Sequence, residues 1–431
     1  MVSKKKSAVT HTAITADVAV IGAGASGCMA AVSAAMAGGD VLLIEANDKI
    51  CRKIYATGNG RCNLMNLFMS KECYHTGGGE DLSPFFARFS VQDHMAFWES
   101  RGIRLHDRQG YVYPRTDQAS TIAEAFEKIL RGLSVKIVTG ERVNAIDCRV
   151  PGMEGFAAQD RHTLFKIETA AGNRYTARKV ILAGGGMAGP QYGCGGDMYG
   201  FAVQSGHTVR KPLPALVQLF SDDKALKAAS GVRCGAKVTL YCGKEALCAD
   251  SGEVQMTEKG ISGIPVFQIS AAAAKALEAG EQVLAEIDFL PELPEEEWER
   301  EVERRLQEDR NCMLSVFFLG LVNRKILDLV LRKRGLQAEK KATGLNDADL
   351  AGILADLRAL RIKITGTGNF AQAQVTSGGV PLSETDEELQ SRRTPGLYMA
   401  GEMLDVDGLC GGYNLQWAMT SGWIAGKGAA K

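Results

Sequence analysis

Apolar and polar positions change period several times along this chain, and each change marks an element. Residues 17–21 form a short β-branched run of the kind a strand buried on both faces requires. Gly22-Ala-Gly24-Ala25-Ser-Gly27 interrupts it, and a run of small residues to about Ala37 then reads as a helix ended by Gly38-Gly39. Residues 41–44 are a second buried strand, with Glu45 at its carboxyl end. Further on, Thr121-x-x-Glu124 has the form of a capping box opening a helix whose apolar face carries Phe126, Ile129 and Leu133. Period two takes over at 135–138, 143–148, 162–169 and 175–177, with Ala171-Gly172-Asn173 as the turn between the last two. Another apolar run, 179–183, leads into Gly184-Gly185-Gly186, and 196–206 predicts a short helix with Asp197 near its start. From about 207 to 287 short β-rich runs predict a small barrel or sandwich, and 294–358 switches to charged helical sequence. A strand at 361–365 and a strand, turn and helix after Thr394 complete the chain.

Alternation of strands and helices at the two ends, with a β-rich middle, predicts an α/β protein. At 431 residues, two or three domains are expected. Lysine plus arginine equals aspartate plus glutamate, at 50 each, so no overall field favours nucleic acid or an anionic membrane. The basic run Lys4-Lys5-Lys6 lies in a polar tail, 1–16, that is not followed by a plain apolar core and cleavage site. No apolar run approaches the roughly 18 residues of a membrane helix. Eleven cysteines, odd in number and without paired metal spacing, point to reduced thiols in a cytoplasm and to no metal.

The chemistry is carried first by the turn at 22–27. Gly22 permits the tight turn, Gly24 lets backbone approach a pyrophosphate, and Gly27 lets helix and strand pack closely. The helix start at Ala25 offers free N–H groups and partial positive charge. Glu45, with Ala46 behind it, comes roughly 20 residues later, where an acid can accept hydrogen bonds from a ribose. An ordinary βαβ unit would leave both the glycine spacing and the terminal acid unexplained. The loop 47–63, rich in Gly, Asn and cations, can offer donors to phosphate or flavin oxygens, or be a solvated turn. The second glycine run, 184–189, lacks a small-residue helix and a strand-end acid. It reads as a loop whose Gly184 and Gly185 approach the same nucleotide.

Five motifs give the chain a family resemblance. They are Gly58-Asn-Gly60-Arg61-Cys62-Asn63-Leu-Met-Asn66, Gly196-Asp-Met-Tyr-Gly-Phe-Ala202 with Gly206-His207, Gly260-Ile-Ser-Gly with Gln268 and Ser270, Gln374-Val-Thr-Ser-Gly-Gly-Val380, and the long run from Pro395 to Ala418. These resemble the BaiN-like, or aminoacetone-oxidase-like, family of FAD-dependent NAD(P)/FAD oxidoreductases. Two departures are the Met at 198 and Glu258, where many members carry His. The resemblance implies a two-part Rossmann-like FAD-binding domain, 17–195 and 376–431. Between them lies an inserted β-barrel, 196–375, with a helical subdomain at about 291–358.

It implies that Glu45 holds the adenosine ribose, with Val143 also on the nucleotide and Arg52 and Lys53 along the adenosine-pyrophosphate side. Gly60, Arg61, Cys62 and Asn63 are implied to approach the flavin, and Gly401, Glu402 and Asp405 to follow the ribityl phosphate. Gly412, Asn414, Leu415 and Gln416 are implied to face the pyrimidine edge. The implied activity relays hydride from NAD(P)H, as a transient reductant, to a conjugated C=C bond of a flat apolar small molecule. In this family that molecule is a 3-oxo-Δ4 or Δ4,6 bile acid in 7-dehydroxylation. Tyr113, Tyr413 and Cys62 are candidate proton donors by residue type. An amine oxidase using dioxygen and a non-catalytic flavin redox sensor are the alternatives.

Overall fold

The computed structural model describes residues 14–149 and 164–431, so the expected tail lies outside the described residues as far as residue 13. The first strand, Ile14–Ile21, begins earlier than its apolar run suggests, because Ile14 to Ala16 pair in parallel with Tyr175 to Ala177. The described chain divides into two compact units. One runs to Pro212 and resumes as Val375–Lys431; the other is Leu213–Gln374. The first division therefore falls after the helix Asp197–Gln204 and not before it. Met198, Tyr199, Phe201 and Ala202 are buried in the core of the first unit, and that burial corrects the boundary expected at 195.

In the first unit Lys136–Val138, Val41–Ile44, Ile14–Ile21 and Arg174–Leu182 are neighbours in that order and run parallel. Arg174–Leu182 is one strand where the sequence suggests two runs. Its first half pairs antiparallel with Leu164–Thr169, which continues to Val143–Arg149. Its second half pairs in parallel with Leu397–Met399, so the C-terminal segment is stitched into the same sheet. Burial on both faces explains the unbroken apolar runs.

Helix Ala25–Met36 is buried on nearly every side, which its small residues allow. Against it lies the closing helix Tyr413–Ala429. A Cβ on Gly422 or Gly426 would collide with the carbonyl of Ser26 or Ala30, so glycine is what lets the two backbones touch. The capping box expected at Thr121 does not form. Helix Ala119–Gly132 already starts two residues before Thr121, from an extended Gln118, and the Thr121 hydroxyl bonds Thr116 Oγ1 at 2.6 Å.

The second unit holds an antiparallel sheet in the order Leu360–Ile364, Val283–Asp288, Arg233–Cys242, Glu245–Thr257, Gly260–Gly263, Leu219–Phe220, Gly366–Thr367. Its first and last members are consecutive stretches of one chain segment. The N–H of Thr365 between them donates to the Phe220 carbonyl at 2.9 Å, so the sheet closes on itself. Within the stretch expected to be β-rich, Ile264–Glu278 is instead a helix. Its β-branched start suggests a strand, but Val266, Ile269 and Ala273 recur at helical spacing and are buried on the sheet side of an alanine-rich run. Helices Glu295–Glu308, Arg324–Lys333 and Asp347–Arg358 follow. Some of their charges form surface pairs, such as Arg304 with Glu301 and Glu308. No helix among the described residues is long and apolar enough to cross a membrane.

Candidate active site

At the carboxyl ends of the parallel strands, the Gly22 N–H donates to the Ile44 carbonyl at 2.8 Å and the Ala183 N–H to the Ile21 carbonyl at 2.9 Å. These bonds bring turn 22–27, Glu45 and the loop from Gly184 to one place. Gly22 has φ +97°, and a Cβ on Gly27 would drive into the Gly22 carbonyl oxygen, so both are required by geometry. Gly24 differs. Nothing lies within 4 Å of the Cβ it lacks, which leaves open space over the first N–H groups of helix Ala25–Met36. Glu45 is 7% exposed and held from two sides. The Ala23 N–H donates to Oε2 at 2.6 Å; the Asn47 N–H and side-chain amide donate to Oε1 at 2.8 and 2.6 Å. Ala46 follows it half-buried, and Val143 is buried at the start of the strand Val143–Arg149. Gly184 is tight against Met198, and Gly185 turns with φ +78° beside Cys194 Sγ.

Two residues expected at different parts of the ligand meet each other. Lys53 Nζ donates to Glu402 Oε2 at 2.7 Å. Glu402 Oε1 accepts from the Thr376 N–H and hydroxyl at 3.0 and 2.9 Å, and Thr376 Oγ1 accepts from the N–H groups of Met187 and Ala188. Burial works to lower the Lys53 pKa, but Glu402, Cys194 and Tyr192 outweigh it and the ammonium is raised above its ordinary value. Arg52 is exposed and donates to Asn47 Oδ1 at 3.0 Å. Gly401 (φ +80°) lies against Ser26, its N–H donating to Ser421 Oγ at 2.9 Å. Asp405, 3% exposed, accepts from the Gly77 N–H at 2.9 Å and pairs with Arg210.

The closing helix starts on Gly412, φ +97°, pressed against the Met65 backbone. In the orientation that satisfies its amide, Asn63 donates to the carbonyls of Val112 and Met65 and accepts from the Gly412 N–H. Asn414 clasps Gly408, accepting its N–H and donating to its carbonyl, both at 2.8 Å. Leu415 is half-buried. Gln416 is fully buried; its Oε1 accepts from the Asn66 N–H at 3.3 Å while its Nε2 has no partner. Gly60 and Arg61 are exposed on the neighbouring loop.

The three expected proton donors fare differently. Cys62 is fully buried, and burial pushes its thiol up to about 12. The Tyr413 hydroxyl is committed to the Phe68 carbonyl at 2.8 Å. Tyr113 is half-buried, and burial raises its phenol above the ordinary value.

Residues 16–428 match the family described as HI0933-like protein Rossmann domain. The chain belongs to the HI0933-like family. Within that FAD-dependent family, it is 39% identical to the 3-dehydro-bile acid delta(4,6)-reductase of Clostridium scindens, covering 96% of this chain and 99% of that one. It is also 28% and 29% identical to the ribosomal RNA dihydrouridine synthases of Haemophilus influenzae and Escherichia coli, each over 94% of this chain and 96% of the relative. Among solved structures, 3-ketosteroid-delta4-(5alpha)-dehydrogenase from Rhodococcus jostii RHA1 shares the fold at TM-score 0.52 and 17% identity, covering 99% of both chains.

The HI0933-like chain fits FAD on its own geometry. The open space over Gly24 suits a phosphate at a helix start, and the unpartnered, buried Nε2 of Gln416 suits a carbonyl acceptor. Sequence reasoning did not find the organising role of Thr376 or the pairing of His75 with Asp407, whose Nδ1 and Oδ2 are 3.3 Å apart. Both Thr376 and Asp407 lie inside quoted motifs, but their partners are remote in sequence.

Proposed function

We propose that this protein reduces a C=C bond conjugated to a carbonyl, using FAD and a reduced nicotinamide, and that its substrate is a 3-oxo-Δ4 or Δ4,6 bile acid. The observation that carries this reading is the 39% identity, end to end, with a reductase of that substrate class. The more distant relatives support the same bond chemistry, since making dihydrouridine saturates the C=C bond of uracil beside its carbonyl. The balance of 50 basic and 50 acidic residues favours a small apolar acid over ribosomal RNA as the partner.

FAD, when bound, supplies two-electron chemistry: hydride in from the nicotinamide and hydride out to the acceptor. The chain's part is to hold and tune it. Glu45 takes the adenosine ribose, and the N–H groups after Gly24 take the pyrophosphate. Lys53 and Glu402, already bonded to each other, flank the middle of the ligand. The N-terminus of the closing helix places partial positive charge, with no acidic residue in its first turn, where a reduced ring gathers negative charge.

Anaerobic mixing of the FAD-loaded protein with NADH or NADPH and a 3-oxo-4,6-dienoic bile acid tests the reading. The expected result is bleaching of the flavin by the nicotinamide and loss of the dienone absorbance. Flavin bleached by amines and reoxidised by air, with the dienone untouched, would establish the oxidase alternative instead. Dihydrouridine formed in ribosomal RNA with the dienone untouched would move the substrate to RNA.

A further inference from the structure

We propose that His75, oriented by the buried carboxylate of Asp407, hands the proton to the α-carbon of the substrate. The inference rests on the reductase reading above and deepens it by naming its acid.

The placement is built by a two-strand ribbon. Tyr74–His75 pairs antiparallel with Asp407–Gly408, and Asp407 is the direct partner of His75. His75 Nδ1 stands 3.3 Å from Asp407 Oδ2. The Asp407 side chain is only 4% exposed, and its other oxygen, Oδ1, has no partner. A buried carboxylate so poorly compensated favours a proton on the nitrogen facing it. The opposite nitrogen, Nε2, has no hydrogen-bond partner among the described residues, and the imidazole is 44% exposed. One nitrogen is anchored and the other is free, which is how an orienting carboxylate prepares a histidine acid.

The ribbon also touches the start of the closing helix. Tyr74 Oη donates to the Tyr413 carbonyl at 3.0 Å, and Gly408 is clasped by Asn414. His75 therefore lies one residue from each bond that fixes this helix start, where the reacting part of the ligand is placed by the reading above. The other described histidines are otherwise engaged. His94 is fully buried, His207 is locked between Glu384 and Ser391, and His106 pairs with an Asp117 that also serves Arg108. Cys62 and Tyr413 are ruled out as ready acids by burial and by a committed hydroxyl.

The step balances as follows in atoms and electrons. The two electrons supplied by the reduced nicotinamide arrive as hydride and form a C–H bond at the β-carbon. The C=C π pair shifts towards the carbonyl, giving an enolate. The α-carbon then takes the Nε2 proton of the His75 imidazolium, which leaves the neutral ring protonated at Nδ1 towards Asp407, and the half-exposed ring regains a proton at Nε2 from solvent.

Two measurements test this on the full-length, FAD-loaded protein. The first needs no variant. Imidazole 15N spectra should show neutral His75 mainly protonated at Nδ1, and Asp407→Asn should shift it mainly to Nε2; a wild-type His75 already protonated at Nε2 would overturn the orienting role. The second uses the saturated 3-oxo bile acid in D2O with no reductant, following deuterium at the α-carbon by mass spectrometry. Wild type should exchange above the buffer rate, and His75→Gln should lose at least 50-fold of that excess, with dienone reduction falling in parallel. If His75→Gln, with FAD bound, keeps both rates within threefold while wild type reduces the dienone, the reductase reading stands and His75 is not the acid. If wild type neither reduces the dienone nor exchanges the ketone, the reductase reading itself falls and the inference falls with it.

Discussion

Two helices of the first unit begin on a glycine, Ala25–Met36 after Gly24 and Tyr413–Ala429 after Gly412, and they pack backbone to backbone. Neither start has a side-chain cap or an acid in its first turn, so both present uncompensated N–H groups. Their surroundings differ. The space over Gly24 is open and its glycines face backbone; this is a general cradle for phosphate. Around Gly412 the space is filled by Met65, Asn63, Tyr111 and the clasp from Asn414, leaving one orphaned amide on Gln416. On the placement of FAD proposed above, the same device would serve a flexible charged part of the ligand at one end and a rigid ring at the other. What separates them is how much protein crowds the helix start.

The largest effect should come from filling the backbone contact itself. Gly27→Ala places its Cβ into the Gly22 carbonyl and should cost about 3 kcal/mol or more, with loss of bound FAD. Gly24→Ala meets nothing within 4 Å. It should leave the urea midpoint of the apoprotein within experimental error and weaken FAD alone. Equal midpoints for the two variants would break the distinction between a glycine kept for packing and one kept for the ligand.

That distinction also marks what the sequence disclosed. The first helix start was readable because its parts are local: strand, glycines, helix, strand and Glu45 lie within thirty residues or so and follow a spacing set by backbone geometry. The second was readable only as a motif. Asn63, Asn66 and Tyr74 reach it from more than 300 residues away, and no periodicity reports such contacts. The helix Ile264–Glu278 was missed because its first turn carries β-branched residues, and a tertiary surface decided the element over local preference. The capping signal at Thr121 failed because the chain had already entered the helix at Ala119.

A middle-sized effect should follow from cutting the bond between the loops that serve the two starts. Lys53→Met leaves Glu402 with only its Thr376 contacts. Both side chains are largely but not fully covered, at 25% and 19% exposure, so solvent takes part of the loss and about 1–2 kcal/mol is expected. Because the folded pKa of Lys53 is raised, its contribution is fully present below about 10.5, the unfolded value, and is lost as pH climbs through the higher folded value. Wild type and Lys53→Met should therefore differ by a steady amount up to about pH 10 and converge only above about 10.5, as urea titrations carried from about pH 9 to about pH 12 would show. A constant gap across that range would mean the pair is not what the substitution removes.

The smallest effect at neutral pH should come from a group bonded to the closing helix, and it should grow only in acid. His94 is fully buried; its Nε2 lies 2.9 Å from Thr420 Oγ1 on that helix, and its Nδ1 has no partner. Burial pushes its pKa down to about 3, so the folded protein keeps the ring neutral while the unfolded chain takes up a proton near 6.5. Stability from this group is complete above about 6.5 and drains as pH falls towards 3, with a slope of about 1.4 kcal/mol per pH unit where only the unfolded state is protonated. Between pH 6.5 and 5 few carboxylates titrate, which makes that window diagnostic. His94→Gln keeps an amide that can bond Thr420 but cannot take up a proton. It should lower stability slightly at pH 7, through imperfect packing, and flatten the acid slope by close to one proton. Helix Ala25–Met36 has no titratable group bonded in this way, so exchange of its amides should follow only global unfolding over the same range. Amides of 413–429 in wild type that lose protection no faster than those of 25–36 as pH drops would show that His94 acts on the whole unit and not on the closing helix.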